Sequence, residues 1–503
     1  MNKHILVSVA LFLALGLVVR SQTRYDKVTD MNFWNDGRNM AGMRIGSLLR
    51  SSYAEASGGF SSGDFKAPWE ASSSWNAGAA AGTRNDLEKF SMAGSFSFSQ
   101  KQGSGMDESM FIHPGFYPVD VMEFTPGRKT LQAYSFMGGI AVPLGRWTVG
   151  GRMDFESDNY SKRKDIRHTN YRLDMTVAPS VAWRARGWTF GTSYVFRKTS
   201  ESIQAEQVGT ATADSYYAFL DKGLGFGSYQ VWNGSGIHLA EAGIDRFAVK
   251  EYSSGAALQV SRTFRRSWMY ADAEYLATYG EVGEKSYTFY KFPGASFTAR
   301  VGYSTAGNLL RLRYSWKTQS NDEYVIDKVS QGGVVNPVTY GRNRIFDRRE
   351  MSLVPEWTYY GDWLYKAHVE ACWTRKEQLS QLQYPYSFEY STDILSVAFS
   401  TVLRLGRWRP GLQAGFLKGF WDESAAGVSA DERPSRQEDV WGARVEWDNA
   451  ARISAGVSLR WDVPLARLSG MYLEAAGSML HGSGLEYLGG TSYGGIFKVG
   501  YEF

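Results

Sequence analysis

From Tyr171 the odd positions read Tyr171, Leu173, Met175, Val177, Pro179, Val181 and Trp183, and the even ones Arg172, Asp174, Thr176, Ala178, Ser180, Ala182 and Arg184. A period of two is the period of a strand, whose successive side chains point to opposite faces. The same separation sets Trp147, Val149, Met153 and Phe155 against Arg146, Arg152, Asp154 and Glu156, and Leu310, Leu312, Tyr314 and Trp316 against Arg311, Arg313 and Lys317. Near the C-terminus, Trp447, Ile453, Ala455, Val457, Leu459 and Trp461 oppose Glu446, Asp448, Arg452, Ser454 and Arg460. Runs of about ten residues suit a tilted strand that crosses a bilayer with one face to lipid and one to a lumen. The chain ends the same way, with Phe497, Val499, Tyr501 and Phe503 alternating with Lys498, Gly500 and Glu502. Tyr501 and Phe503 thus read as the assembly signal that the barrel-assembly machinery of Gram-negative bacteria recognises, and the alternative is an ordinary edge strand that happens to end the chain.

Two kinds of connection alternate between these strands. Short turns fall near Leu144, Ala185, Arg266, Ala306, Gly361, Gly406 and Pro464; long polar segments fall around 100–131, 157–169, 200–253, 280–292, 319–346, 375–391, 419–446 and 481–490. Short periplasmic turns and long extracellular loops are the habit of outer-membrane barrels, and they place both termini in the periplasm. A tryptophan follows several of the short turns: Trp147, Trp188, Trp268, Trp363 and Trp408. Indoles at one depth make a membrane girdle, with the ring in lipid and the N–H near the headgroups. Counting from Phe90 predicts about 16 strands, and an earlier hairpin, about Ser47 to Ser57 and Ala67 to Gly82, raises this to about 18. The expected fold is an all-β, transmembrane antiparallel β-barrel of about 16–18 strands.

Before the first hairpin, Lys3 and His4 precede an apolar run from Ile5 to Val19, after which Arg20, Ser21 and Gln22 restore polarity. That pattern is a signal peptide, 1–22, with cleavage near Gln22, and the run is too short for a membrane helix. Residues 23–46 are too irregular for a strand and are expected in the lumen or along the periplasmic rim, as a hatch; the barrel then spans 47–503. Aromatics at 15%, with 54 glycines and 13 prolines, agree with half-apolar strands. A net charge of +4, with signs alternating and no basic stripe, argues against a nucleic-acid partner. The single cysteine, Cys372, leaves no disulfide, no thiolate metal site and no lipoprotein anchor.

Candidate chemistry follows from the inward faces. Lys366, His368 and Glu370 share the face opposite Tyr365, Ala367, Val369 and Trp373, and line the lumen with Arg311, Arg313, Arg172 and Asp174. A histidine between a lysine and a carboxylate is either a titrating gate or one piece of a salt-bridge lattice. The segment from about 200 to 253 is long and aromatic, and its Tyr216, Tyr217, Tyr229, Trp232 and His238 are the loop candidates for binding a ligand or partner; the alternative is a lid that packs on itself. No histidine stands in a hydrolase motif and no spaced His and carboxylate cluster reads as a metal site, so neither a catalytic residue nor a cofactor is assigned. An outer-membrane hydrolase is the third and weakest reading.

Three stretches carry a resemblance: Phe33-Trp34-Asn35-Asp36-Gly37-Arg38-Asn39-Met40-Ala41-Gly42, Ser215 through Gly225, and Val231-Trp232-Asn233-Gly234 through His238-Leu239. They resemble a family of outer-membrane barrels of unknown function from anaerobic Gram-negative bacteria. The resemblance implies work beside a TonB-dependent transporter or a surface lipoprotein and supplies no catalytic residues. Two functions of different class follow: a transport-associated barrel, channel or accessory component of nutrient uptake, and a non-conducting structural barrel that docks a lipoprotein or transporter. In both, outer-membrane lipid is the surrounding partner.

Overall fold

The structure, a computed structural model, describes residues 24–45, 50–164, 166–206, 217–231, 247–283, 288–331, 334–427, 434–464 and 470–503. The expected signal peptide, 1–22, lies outside them. In chain order the strands are β1 (Arg50–Gly63), β2 (Ser73–Asp86), β3 (Ser91–Ser109), β4 (Asp120–Leu144), β5 (Trp147–Lys162), β6 (Arg167–Ala185), β7 (Trp188–Glu206), β8 (Tyr217–Asp221), β9 (Gly227–Val231), β10 (Phe247–Thr263), β11 (Ser267–Gly283), β12 (Thr288–Thr305), β13 (Asn308–Gln331), β14 (Val334–Tyr359), β15 (Leu364–Ser380), β16 (Ser387–Leu403), β17 (Trp408–Ala426), β18 (Ala451–Asp462), β19 (Met471–Ser483) and β20 (Thr491–Glu502). All pair antiparallel with their neighbours, β7 pairs with β10, and β20 pairs with β1, so eighteen strands close on themselves. At the seam Ser52 and Phe503 exchange backbone hydrogen bonds of 2.9 and 3.0 Å. Closure leaves none of the eighteen wall strands without a neighbour on either side, which is what a hydrocarbon surrounding demands.

The alternation sorts side chains as a spanning wall requires. Trp147, Val149, Met153, Leu310, Leu312 and Phe497 stand exposed on the outer face, while Arg172, Asp174, Asp272, Glu274, Arg452 and Lys498 are buried on the inner one. The expected short turns are tight: Arg186-Gly187 and Ala306-Gly307 both take positive φ at the two central positions, the twist-matched geometry for a two-residue hairpin.

Three expectations shift. The first hairpin lies further along, at Arg50–Gly63 and Ser73–Asp86, because its Gly, Ala and Ser content blurs the alternation. Much of 100–131 and 319–346, expected as loop, is strand: β3 runs on to Ser109, and β13 and β14 continue as a hairpin with only 332–333 between them. Beyond the apolar band both faces of a strand meet water, so the alternation that marks a strand disappears although the backbone pairing does not. Finally Glu446, Trp447 and Asp448 belong not to a strand but to a helix, Glu438–Asn449, that opens on Glu438 and Asp439, acidic residues suited to its N-terminal dipole.

Candidate functional site

The lumen is occupied from both ends. At the short-turn end lies the N-terminal segment, a helix Arg24–Asp30 followed by two single turns of 3₁₀ helix, Phe33–Asp36 and Met40–Arg44. Each turn is started by an asparagine: Asn32 Oδ1 accepts from the Trp34 N–H at 3.1 Å, and Asn39 Oδ1 from the Ala41 N–H at 3.0 Å. These bonds satisfy donors that a short turn leaves orphaned. Trp34 is completely buried, and its Nε1 donates to Ser261 Oγ at 3.1 Å.

Glycines in the wall make room for this segment. A Cβ at Gly191 would stand 2.6 Å from the Trp34 ring, one at Gly150 2.6 Å from the Ala41 nitrogen, and one at Gly139 2.2 Å from Met40 Cε. These close approaches fit the plug into the wall side chain by side chain.

Polar ties complete the seat. Lys366 Nζ pairs with Asp30 at 3.2 Å, Tyr360 Oη donates to Asp30 at 2.6 Å, and Arg311 pairs with Asp36 at 3.0 Å. Arg152 donates to the Gly37 carbonyl at 3.3 Å and Arg184 to the Arg44 carbonyl at 2.8 Å; Arg84, Arg300 and Arg311 reach the carbonyls of Met43, Asp36 and Asp30. Wall arginines thus end on the backbone of the plug, a form of recognition that side-chain alternation does not reveal.

The long-loop end is closed by apolar packing. Met110, Phe111, Phe116 and Tyr117 from the β3–β4 connection meet Leu220, Leu224 and Phe226 of the β8–β9 hairpin, with Tyr386, Phe388 and Val445 completing one buried cluster. β8 adds to the edge of β4 through Asp120–Met122, so the hairpin is folded over the mouth as part of the sheet. Beneath this lid lies a cavity of about 270 Å³ lined by Trp69, Tyr117, Lys317, Glu350, Trp441 and Trp447 among others.

One guanidinium holds the lid. Arg444, on the helix Glu438–Asn449, faces Asp120 and Asp221 at 3.2 Å each and Glu108 at 3.6 Å. Asp221 also accepts the backbone N–H groups of Gly223 and Gly225 at 2.8 and 3.2 Å, which shapes the tip of the β8–β9 hairpin. Burial pushes the Glu108 carboxyl up to about 7 and the Asp120 carboxyl up to about 6, with Arg444 opposing both shifts. Burial likewise raises Asp221. Three carboxylates around one cation leave excess negative charge, so the site retains protons that exposed acids would release.

The residues singled out from sequence separate into those this arrangement gathers and those it does not. Lys366, Arg311 and Arg313 point inward; the first two hold the plug, and Arg313 pairs with Glu356 at 3.2 Å. His368 Nδ1 bonds Thr358 Oγ1 at 2.9 Å, and Glu370 stands opposite Glu356 in register. Arg172 joins Glu156, Asp158 and Asp174 at 3.3, 2.7 and 2.8 Å, and Asp174 also holds Arg197. That is a lattice across three neighbouring strands. Tyr229 is exposed, packs its ring on Phe219 and accepts from Gln437 Nε2 at 2.8 Å; Tyr217 opens β8; Tyr216, Trp232 and His238 lie outside the described residues.

Of the girdle, Trp147, Trp188, Trp363 and Trp408 are exposed on the wall. Trp268 is a correction. It shares the inner face with Tyr270 and stacks on Phe33 at 5.0 Å, because Met269 takes the outward position in that strand. Its distance from the turn matches its counterparts while its parity does not. His168 bonds Asn170 and His481 bonds Thr491, both at 2.9 Å. Among the described residues no group of three or more His, Cys, Asp or Glu is placed to hold a metal.

The model of one protein family matches residues 40–503, nearly the whole chain. The chain belongs to the family of unknown function DUF6850. No curated protein matches it. Solved structures similar to this DUF6850 chain include a ferric enterobactin receptor (PfeA) mutant from Pseudomonas aeruginosa, with TM-score 0.42, 9% identity, and coverage of 90% of this chain and 80% of that one. The FrpB iron transporter from Neisseria meningitidis gives 0.40, 8%, 92% and 82%. The RagAB peptide importer gives 0.44, 7%, 91% and 87%. Likenesses this distant concern the barrel fold alone; the function of the DUF6850 chain has to be argued from its own register, plug and lid.

Proposed function

We propose that this DUF6850 barrel is an outer-membrane, transport-associated protein, with its short turns and termini in the periplasm, whose path is closed by a removable N-terminal hatch. The observation that carries the reading is that the short-turn end of the lumen is obstructed by a separate segment, residues 24–45, and not by the wall's own turns. Residues 24–45 are held by hydrogen bonds and ion pairs from β2, β5, β6, β12, β13 and β15. A separate segment can leave as a body, whereas a lumen filled by wall side chains offers nothing to remove. A working partner in uptake, such as a TonB-dependent transporter or a surface lipoprotein, belongs to this reading.

The second reading, a non-conducting docking barrel, draws on the lid: an apolar cluster from several connections packs over the other end. Single-channel conductance of the refolded barrel in a planar bilayer, with and without residues 23–46, separates the two. Conductance that rises on deletion supports the hatch; a barrel silent in both forms supports the docking platform.

A further inference from the structure

The outer wall at β2–β5 changes chemistry in rows. Register aligns Phe96, Phe136 and Phe155 in one row across β3, β4 and β5, and Phe98 with Tyr134 in the next, their rings 5.0 Å apart. Two residues further toward the loops the row is Gln100, Gln132 and Asn159, with Gln132 Nε2 donating to Gln100 Oε1 at 3.2 Å. The row after that is Trp75, Gln102, Thr130 and Ser161, and Trp75 Nε1 donates to Gln102 Oε1 at 3.0 Å. Lys129 pairs in register with Lys162, both buried inward on Glu123, so the flanking Arg128 and Arg163 turn outward. Both arginines are exposed and close a recess of about 430 Å³ whose walls are the two polar rows.

These two cations differ from two outward arginines elsewhere on the wall. Across β14–β16 the outward Arg349 and Arg375 are neutralised: Arg349 by Glu377 at 3.6 Å, Arg375 by Glu377 at 2.8 Å and Asp393 at 3.5 Å. Arg128 and Arg163 have no carboxylate partner among the described residues. Aromatic rings, then amides and hydroxyls, then this pair of guanidiniums repeat, in order along the wall, the tail, the sugar or ester and the phosphate of an anionic lipid.

We propose that this recess binds the phosphorylated head group of a lipid in the leaflet at the long-loop end, with its acyl chains on the Phe96 and Phe98 rows. Arg128 and Arg163 take the phosphate, and the Gln100, Gln102, Gln132 and Asn159 amides take the sugar or ester oxygens. The site stands whether the lumen conducts or not, and rests only on the barrel spanning a bilayer.

The test uses the full-length barrel refolded into nanodiscs, with insertion verified first by heat-modifiable migration. Lipid retained after transfer to detergent is counted by native mass spectrometry, with diphosphorylated lipid A, its dephosphorylated form and phosphatidylethanolamine as the probes. Wild type is expected to keep the diphosphorylated lipid about thirtyfold better than the R128Q/R163Q double variant. R128K/R163K retains most of the binding, and R375Q, whose charge is already paired, behaves as wild type. Equal retention by wild type and R128Q/R163Q, or no preference for the phosphorylated form, overturns the site. Displacement by inorganic phosphate as effective as by the lipid reduces it to an anion site and overturns the lipid assignment. A barrel that does not insert overturns this proposal together with the spanning wall, and is seen before any lipid is added.

Discussion

The two ends of the lumen are closed by different kinds of chain, one by a separate segment and the other by the barrel's own connections. At the short-turn end, charged wall residues end on the backbone and carboxylates of a separate segment. At the long-loop end, apolar side chains from several connections merge into one core, and a single half-buried cation ties the helix to three acids. In the hatch reading proposed above, the first of these closures comes apart and the second does not. The plug buries Phe33, Trp34, Met40 and Met43, so its release costs apolar contacts as well as polar ties, while a lid built from several connections opens only as a unit.

Arg444 is where the two ends should part most widely. In Arg444→Ala, Glu108, Asp120 and Asp221 lose the cation they share, and removing one partner of a buried network is among the costlier single changes. Hydrogen exchange of 438–449 is expected to accelerate by about a hundredfold, with 24–45 unchanged. Equal acceleration at both ends would show that plug and lid are one cooperative body.

Next in size is Gly191→Val, which drives a methyl-bearing carbon into the Trp34 ring. Overpacking of this kind costs about 1–3 kcal/mol, so tryptic cleavage at Lys27, Arg38 and Arg44 is expected to rise about tenfold in a barrel that keeps its heat-modifiable migration. No gain in cleavage would mean that the segment does not depend on its glycine recesses.

A more modest change comes from pH and is confined to the lid. Glu108 and Asp120, facing Arg444 together with Asp107, Asp221, Lys66 and Ser109, hold their protons up to about 7 and about 6 in the closed form. An opened lid releases those protons at ordinary carboxylate values, so closure weakens as pH rises from the ordinary range through about 7 and levels off above it. Exchange of 438–449, corrected for intrinsic rate, should be several-fold slower near about pH 5 than near about pH 8. The opposite slope would place the excess charge elsewhere.

The wall trio should matter least. Replacing Lys366, His368 and Glu370 with alanine removes one partly exposed tie to Asp30 and leaves Arg311 and the carbonyl contacts in place. Plug release, read as the frequency of conducting events, should change by no more than about fivefold.

Whatever repeats with a period of two is legible in the sequence. The wall, its inward charges, the tight turns and the four outward tryptophans follow from alternation, because lipid and lumen impose it on every crossing. Trp268 is misplaced when distance from the turn is read before parity. The helix Glu438–Asn449 escapes because its polar and apolar residues show no helical stripe, so nothing in the pattern competes with a loop or a strand. The recesses at Gly139, Gly150 and Gly191 escape for a deeper reason. Each is meaningful only beside a plug residue about a hundred or more positions away, and no local pattern encodes that meeting.

At the seam where β20 meets β1, Gly58 and Gly59 lie opposite Phe497 and Ile496, and Gly494 and Gly495 opposite Ser61 and Phe60. On the other side of β1, β2 brings Ala77, Gly78, Ala79, Ala80, Ala81 and Gly82. A hoop yields at its slenderest stave. Here a strand pairing rich in glycine is also the one that joins residues more than 400 positions apart, the last contacts a folding chain makes and the first a stretched wall would surrender.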